Sequence, residues 1–434
     1  QGGRRRGTSK DLLCCEMALS FHGVLVLVGL CAPVFGVPPA SAPCRGSPGP
    51  SSTKSAPASQ ASPCHTDFAF RLYRRLAAEA PHQNVFLSPT SVSTALAMLS
   101  LGARSATKTQ ILQSLGFNLT RTPESAIHEG FQRLVRSLAV PSKDLALRMG
   151  SVLFVQKGLP LQARFLDHVE KLYASEVLPT DFSNPALAQQ KINSYVEKET
   201  KGKVVDLIQG LDPLTAMVLV NHIFFKAKWE KPFSPADTRK SFPFLAGGRA
   251  AVRVPMMHQE EQLAFGVDPG LNCSVLRMDY QGDAAAFFVL PSEGKMGQLE
   301  QALSAGTLRR WRRSLQQRWL HVFLPRFSMS ASYGLETVLP KMGVHDAFGK
   351  NADFSGITTR GLLQLSKATY KAVLDVSEVG TEAVAASAAK LAARSKDGPP
   401  SPAVFFNRPF LLIIISEATG CILFLGKVEN PTKS

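Results

Sequence analysis

From Glu378 to Ser395 the chain reads EVGTEAVAASAAKLAARS, and ten residues later it becomes FFNRPFLLIIIS. The first stretch holds seven alanines and no aromatic residue; after Glu378 it carries one acid and two bases. Its side chains are too small to fill a core and too uniform for a folded binding loop. The second stretch is a strongly apolar strand signal. A chain with this juxtaposition must present a long, pliable, small-residue segment directly before an element that packs in the interior.

The 434 residues are 45% hydrophobic and 8% aromatic, a globular composition that allows a large core. The formal net charge is +16, spread along the chain. Nucleic acid, anionic glycans and acidic proteins are the generic partners of such a surface; a basic surface without a partner is the plain alternative. Behind Met17, the first methionine, runs ALSFHGVLVLVGLCAPVFG, which is short for a bilayer span. With Gly36 as its last residue it reads as a secretory signal peptide, against a buried helix. Residues 1–36 are therefore expected to be an upstream extension and a signal peptide, and the protein to be secreted. Residues 37–65, rich in Pro, Ser and Ala, predict a flexible tail. No comparable linker occurs again before 396–402, so 66–434 is expected to be one domain.

Cys14, Cys15 and Cys31 precede the expected cleavage point, leaving Cys44, Cys64, Cys273 and Cys421. Four cysteines are too few for a disulfide scaffold and none has zinc spacing; a Cys44–Cys64 pair within the tail stays open. Asn118-Leu-Thr120 and Asn272-Cys-Ser274 are N-glycosylation acceptors.

TDFAFRLYRRLAAEA (66–80) places Phe68, Leu72, Leu76 and Ala77 on one helical face. A short strand then ends at Ser88-Pro89, and Val92, Ala95, Leu96 and Leu99 follow at helical spacing, with Ser91 as the expected cap. LRMGSVLFVQ, AMVLVNHIFFKAKW, AAAFFVLP, LHVFLPRFSM, FLLIIIS and CILFLGKV read as strands. Helices early and strands late, without regular alternation, predict an α+β fold. There is no GxSxG, HExxH, GxGxxG or phosphate-loop motif, and no histidine has metal-ligand spacing. No enzymatic site, cofactor or metal is expected.

NVFLSPTSVSTALAMLSLGA, LVNHIFFKAKWEKPF, VPMMHQ, SKATYKAVLDVSEVGTEAVAAS and VFFNRPFLLIIISEATGCILFLGKVENPTK resemble the serpin family, in its antitrypsin-like secreted clade. The likeness covers about residues 66–432. It implies three sheets, eight or nine helices and an exposed reactive loop at about 378–402. In such proteins the loop is bait for a protease; once cleaved it inserts as an extra strand into the central sheet and carries the acylated protease with it. Serpin loop insertion is a standard example of stored strain released as a switch.

The resemblance places the hinge at Glu378, Gly380, Thr381, Glu382, Ala383 and Ala385, and the scissile bond sixteen residues after Glu378, at Arg394–Ser395. Strand side chains alternate faces. One face would carry Thr381, Ala383, Ala385, Ser387, Ala389 and Leu391, all uncharged; Glu382 and Lys390 fall on the other. The family pattern turns the uncharged face to the core, where a charge would be costly to desolvate. No proline interrupts the run before Pro399. Arg394 suits a trypsin-like protease, whose specificity pocket holds a carboxylate.

The resemblance also assigns Ser88, Ser91 and Asn221 to positions beneath the central sheet that control its opening, and Trp229 to the point of loop entry. Tyr370 stands where family members usually carry His, and its hydroxyl needs a partner. TLRRWRRSLQQRW (307–319) is the densest basic cluster. On a helix, Arg309, Arg312, Arg313 and position 316 would share a face. With Arg310 and Arg318 this cluster is a candidate heparin or sulfated-glycan site; a solvated helix face is the alternative. The expected partner is a trypsin-like serine protease held covalently by a monomer, with no nucleic acid and no membrane span. The alternative is a non-inhibitory member that carries a small hydrophobic ligand.

Overall fold

The computed structural model describes residues 62–433, apart from 141–142, 144, 203, 248–249, 361–362 and 381–400. The expected signal peptide, most of the tail and the bait from Thr381 to Pro400 lie outside the described residues.

Helices dominate the first half: Thr66–Glu79, Pro89–Ser100, Ser105–Ser114, Glu124–Leu138, Ala163–Tyr173 and Pro185–Glu199. Met296–Ala302, Ala305–Ser314 and the short Leu335–Val338 make nine among the described residues. The first helix buries Phe68, Leu72, Leu76 and Ala77, the stripe its spacing sets. The second is buried all round, and its start corrects an expectation. Ser91 lies inside the first turn; the cap is Ser88, whose Oγ accepts the Ser91 N–H at 3.2 Å. Pro89 takes the first helical position, where its missing N–H costs nothing.

The five-stranded central sheet runs in the order Phe327–Gly334, Lys367–Val376, Met217–Ala227, Leu145–Gln156, Glu176–Thr180. Its two middle neighbours, Lys367–Val376 and Met217–Ala227, are parallel, from Lys367↔Val218 to Val373↔Phe224. A nine-stranded sheet runs Val85–Leu87, Ile422–Val428, Phe410–Ser416, Ala284–Pro291, Cys273–Asp279, Ala250–Asp268, Gln316–Pro325, Ala403–Phe405, with Arg239–Ala246 paired to one end of Ala250–Asp268.

Three sheets are implied by the resemblance; two are hydrogen-bonded among the described residues. The reason is one 19-residue strand, Ala250–Asp268. Its first part pairs with Arg239–Ala246, its middle with Gln316–Pro325, and its last residues with Cys273–Asp279. It thereby carries one sheet into the next.

The apolar runs FLLIIIS and AAAFFVLP pair antiparallel and are buried at every residue. Strands covered on both faces read as continuous apolar runs rather than alternating ones. Cys64 forms a disulfide with Cys421, so a pair with Cys44 is not made. The bond fastens the chain ahead of the first helix to the turn before the last strand.

Candidate functional site

The two parallel middle strands make a seam. Both continue past their last pair, Val373↔Phe224, to Val376 and Ala227. Over those three positions they are no longer register partners. The chain leaving Val376 turns back at this open end. Ser377 N–H donates to Gly380 O at 2.7 Å, and Gly380 N–H returns to Ser377 O at 3.1 Å. Trp229 spans the gap: its backbone N–H donates to Val379 O at 2.8 Å and its indole Nε1–H to Ser377 O at 3.0 Å. The indole is fully buried and stacks on Tyr280, ring centres 4.2 Å apart.

Gly380 then forms an antiparallel bridge with Lys228. Its φ is +135°, and an added Cβ would lie 2.3 Å from Ala227 O and 2.8 Å from Trp229 N. Only glycine permits that approach. The bridge is antiparallel, whereas the two strands of the seam are parallel to each other.

Glu378 is 7% exposed. Its Oε1 accepts from Thr238 Oγ1 at 2.9 Å and lies 3.5 Å from the Arg326 guanidinium, while its carbonyl accepts Phe233 N–H at 2.8 Å. Thr238 and Arg326 were not among the candidates. Arg326 left one trace: it is the lone arginine inside the apolar run LHVFLPRFSM.

Beneath the seam polar side chains converge. Ser91 Oγ donates to Asn221 Oδ1 at 2.6 Å. Asn221 Nδ2 donates to Ser151 Oγ, Gly150 O and Ser91 O at 3.0, 3.2 and 3.3 Å. Asn221 thereby ties its strand both to the buried helix and to the next strand. Gly150 and Ser151 were missed, because their part depends on cross-strand register. On the other side of the seam Tyr370 is fully buried, and its hydroxyl accepts the Ser88 N–H at 2.5 Å. Burial holds its phenol well above the ordinary tyrosine range. The hydroxyl has the partner that burial demands, and it is the backbone of the helix cap. Next to Asn221, His222 is buried and lies over Gly150, and its Nδ1 has no partner. Burial lowers its pKa to about 4.

The basic cluster is divided by the fold. Its helix stops at Ser314, and Gln316–Pro325 is a strand, so position 316 leaves the helical face and Arg318 lies on the strand. Trp311 is buried and donates Nε1–H to Asp268 Oδ2 at 2.9 Å. Arg310 pairs with the same oxygen at 2.7 Å, and Arg312 pairs with Glu417 at 2.5 Å. Arg309 and Arg313 are exposed, one turn apart. Asn118 and Asn272 are both exposed on turns. Cys273, within the second acceptor sequence, is a buried thiol whose pKa burial pushes up to about 12. Among the described residues no group of three or more His, Cys, Asp or Glu is placed to hold a metal, and no helix is long and apolar enough to cross a membrane.

A family model described as Serpin (serine protease inhibitor) matches residues 64–431. Serpin A9 of Homo sapiens, centerin, is 70% identical over 96% of this chain and 100% of its own. Serpin A9 of Mus musculus is 62% identical over 95% of this chain and 99% of its own. The solved structure of human thyroxine-binding globulin complexed with thyroxine superposes with a TM-score of 0.82 at 50% identity, covering 86% of this chain and 98% of that one. With the match running through the seam, the hinge and the strand that follows the loop, the chain belongs to the serpin family of protease inhibitors.

Proposed function

We propose that this protein inhibits trypsin-like serine proteases by trapping them after they cleave Arg394–Ser395. The observation that carries this reading is the hinge. At the open end of a parallel seam, Gly380 already pairs antiparallel with Lys228. A strand continuing from it would lie antiparallel to both neighbours and replace one parallel contact with two antiparallel ones, the slightly stronger pairing. About a dozen new ladder hydrogen bonds at ~1 kcal/mol each would drive insertion before ordering costs, comparable with the whole stability of an ordinary domain. Thr381, Ala383, Ala385, Ser387, Ala389 and Leu391 would enter the core side without a charge.

Arg394 would present its guanidinium to the carboxylate of a trypsin-like pocket. Lys390 is the competing basic site; cleavage there leaves a shorter insert that displaces the enzyme less. Secretion and glycosylation at Asn118 and Asn272 belong to the same reading, supported by the Cys64–Cys421 disulfide, since such bonds persist in oxidising compartments. A sulfated glycan would be met by Arg309 and Arg313, with Arg318 from the adjoining strand, because Arg310 and Arg312 are engaged by acids.

The likeness to thyroxine-binding globulin, solved with thyroxine, favours a second reading: a carrier that holds a small hydrophobic ligand and releases it by loop movement. One experiment separates the two. Incubation with trypsin should yield an adduct that survives boiling in detergent, and Arg394→Ala should abolish it. A loop cut by trypsin with no adduct, and no rise in melting temperature, would overturn the inhibitor in favour of the carrier.

A further inference from the structure

The segment that follows the loop is held to the nine-stranded sheet by a short attachment. Ala403–Phe405 pairs in parallel with the middle of Gln316–Pro325 over three residues, Ala403↔His321 to Phe405↔Phe323. His321 N–H donates to Pro402 O at 3.0 Å, and Phe406 N–H to Phe323 O at 2.9 Å.

Side chains close a ring around this attachment. Ser401 Oγ donates to Glu260 Oε1 at 3.0 Å. The same oxygen lies 3.7 Å from His321 Nε2. His321 Nδ1 lies 3.2 Å from His258 Nε2. The His258 ring stacks on Phe323 at 4.5 Å, and Phe323 stacks on Phe405 at 4.3 Å. The loop's return segment thus touches the circuit at both ends, through Ser401 and through Phe405.

The contact between the two imidazoles depends on the number of protons. Nitrogens 3.2 Å apart need one N–H and one lone pair between them. Two neutral rings supply that. So does one imidazolium facing one neutral ring. Two imidazoliums do not: both facing nitrogens then carry hydrogens. The other charged groups facing His258 are Asp237, from the turn before Arg239–Ala246, and Glu260, which both favour its charged form, and Arg239, which disfavours it. The Arg239 guanidinium also lies over Phe323, 5.5 Å from the ring centre. Burial first, then His321, lowers the pKa of His258.

We propose that His258 and His321 are positioning residues for the bait: they clasp its C-terminal anchor, Ser401–Phe406, and loosen it when both rings become charged. That this anchor serves a bait rests on the inhibitory reading; the clasp itself does not. The sign follows from linkage. His258 titrates lower when folded than the ordinary 6.5, so the unfolded strand binds the extra proton first. The clasp's contribution is complete above about pH 6.5 and is lost as pH falls below it.

Amide hydrogen exchange on the intact full chain, corrected for intrinsic rates, tests this without any protease. Between pH 7.5 and 5.5, protection at His321 and Phe406 should fall about five-fold, while Leu425 in the last strand changes less than two-fold. In His258→Gln the baseline is free to move, but the pH ratio at Phe406 should drop below two-fold. If that variant does not fold, His321→Gln carries the same expectation. An unchanged ratio in the folded variant, or equal protection of the wild type at both pH values, overturns the proposal. Trapping of trypsin is scored separately: no adduct at either pH, with the exchange ratio intact, refutes the bait and leaves the clasp.

Discussion

In the nine-stranded sheet, Phe410–Ser416 lies between Ile422–Val428 and Ala284–Pro291, antiparallel to both, and every residue of the three strands is buried. In the five-stranded sheet, Lys367–Val376 lies parallel to Met217–Ala227 and parts from it three residues before either strand ends. Apolar interdigitation closes the first sheet. The second is backed by Ser88, Ser91, Asn221 and Tyr370, whose bonds reach the buried helix rather than cross the seam. A packed apolar interface has no intermediate arrangement to slide into. A seam of parallel strands, joined by a seven-residue ladder and tethered to the helix by a few directional bonds, can part once those bonds are exchanged. On the inhibitory reading the first sheet would stay rigid and the second would open.

The sharpest way to break it is Ile413→Ala. Ile413 is fully buried between Leu425 and Phe287, and the cavity should cost about 3 kcal/mol. Denaturant unfolding should show the same loss in the intact and loop-cleaved forms, because that sheet takes no part in the change. A loss confined to the intact form would mean that the nine-stranded sheet also rearranges.

A smaller effect concerns His222, which is buried neutral on the seam strand with a pKa lowered to about 4. The unfolded chain takes up its proton near pH 6.5, so stability is complete above that value and declines as pH falls toward 4. By pH 5 the loss attributable to this ring should be about 2 kcal/mol. His222→Phe should flatten the slope of melting temperature against pH between 7 and 5. An unchanged slope would place the acid sensitivity elsewhere.

The smallest is Tyr370→Phe, which leaves the Ser88 N–H buried without its acceptor at a cost of about 1 kcal/mol. Loop insertion after cleavage should speed up, read as a faster rise in heat stability. A slower rise would show that the hydroxyl helps the open sheet rather than the closed one.

Legibility in the sequence followed the range of the interactions. FLLIIIS, AAAFFVLP and the 66–79 helix were readable because each carries its burial pattern within itself. Glu378, Gly380, Ser88, Asn221 and Trp229 were singled out only through the family motifs around them. What escaped depends on register between distant segments. Glu378 meets Thr238 and Arg326 across 140 and 52 positions. Asn221 finds Ser151 only through strand pairing, and Cys64 finds Cys421 across 357 positions. The turn from helix to strand after Ser314 removed position 316 from the helical face, since periodicity continued the helix where the fold does not. The same long-range pairing lets Ala250–Asp268 fuse two sheets that a segment-by-segment reading keeps apart.

The Gly380–Lys228 bridge has a kinetic consequence. Ordered growth is usually slow at its first step, where several torsions are fixed for a single bond, and quick afterwards. On the inhibitory reading that step would precede the cut. A severed bait would then start its descent from a formed nucleus, and the contest between strand growth and hydrolysis of the acyl link would begin with the inhibitor one stride ahead. Replacing this glycine would hand the head start to the enzyme.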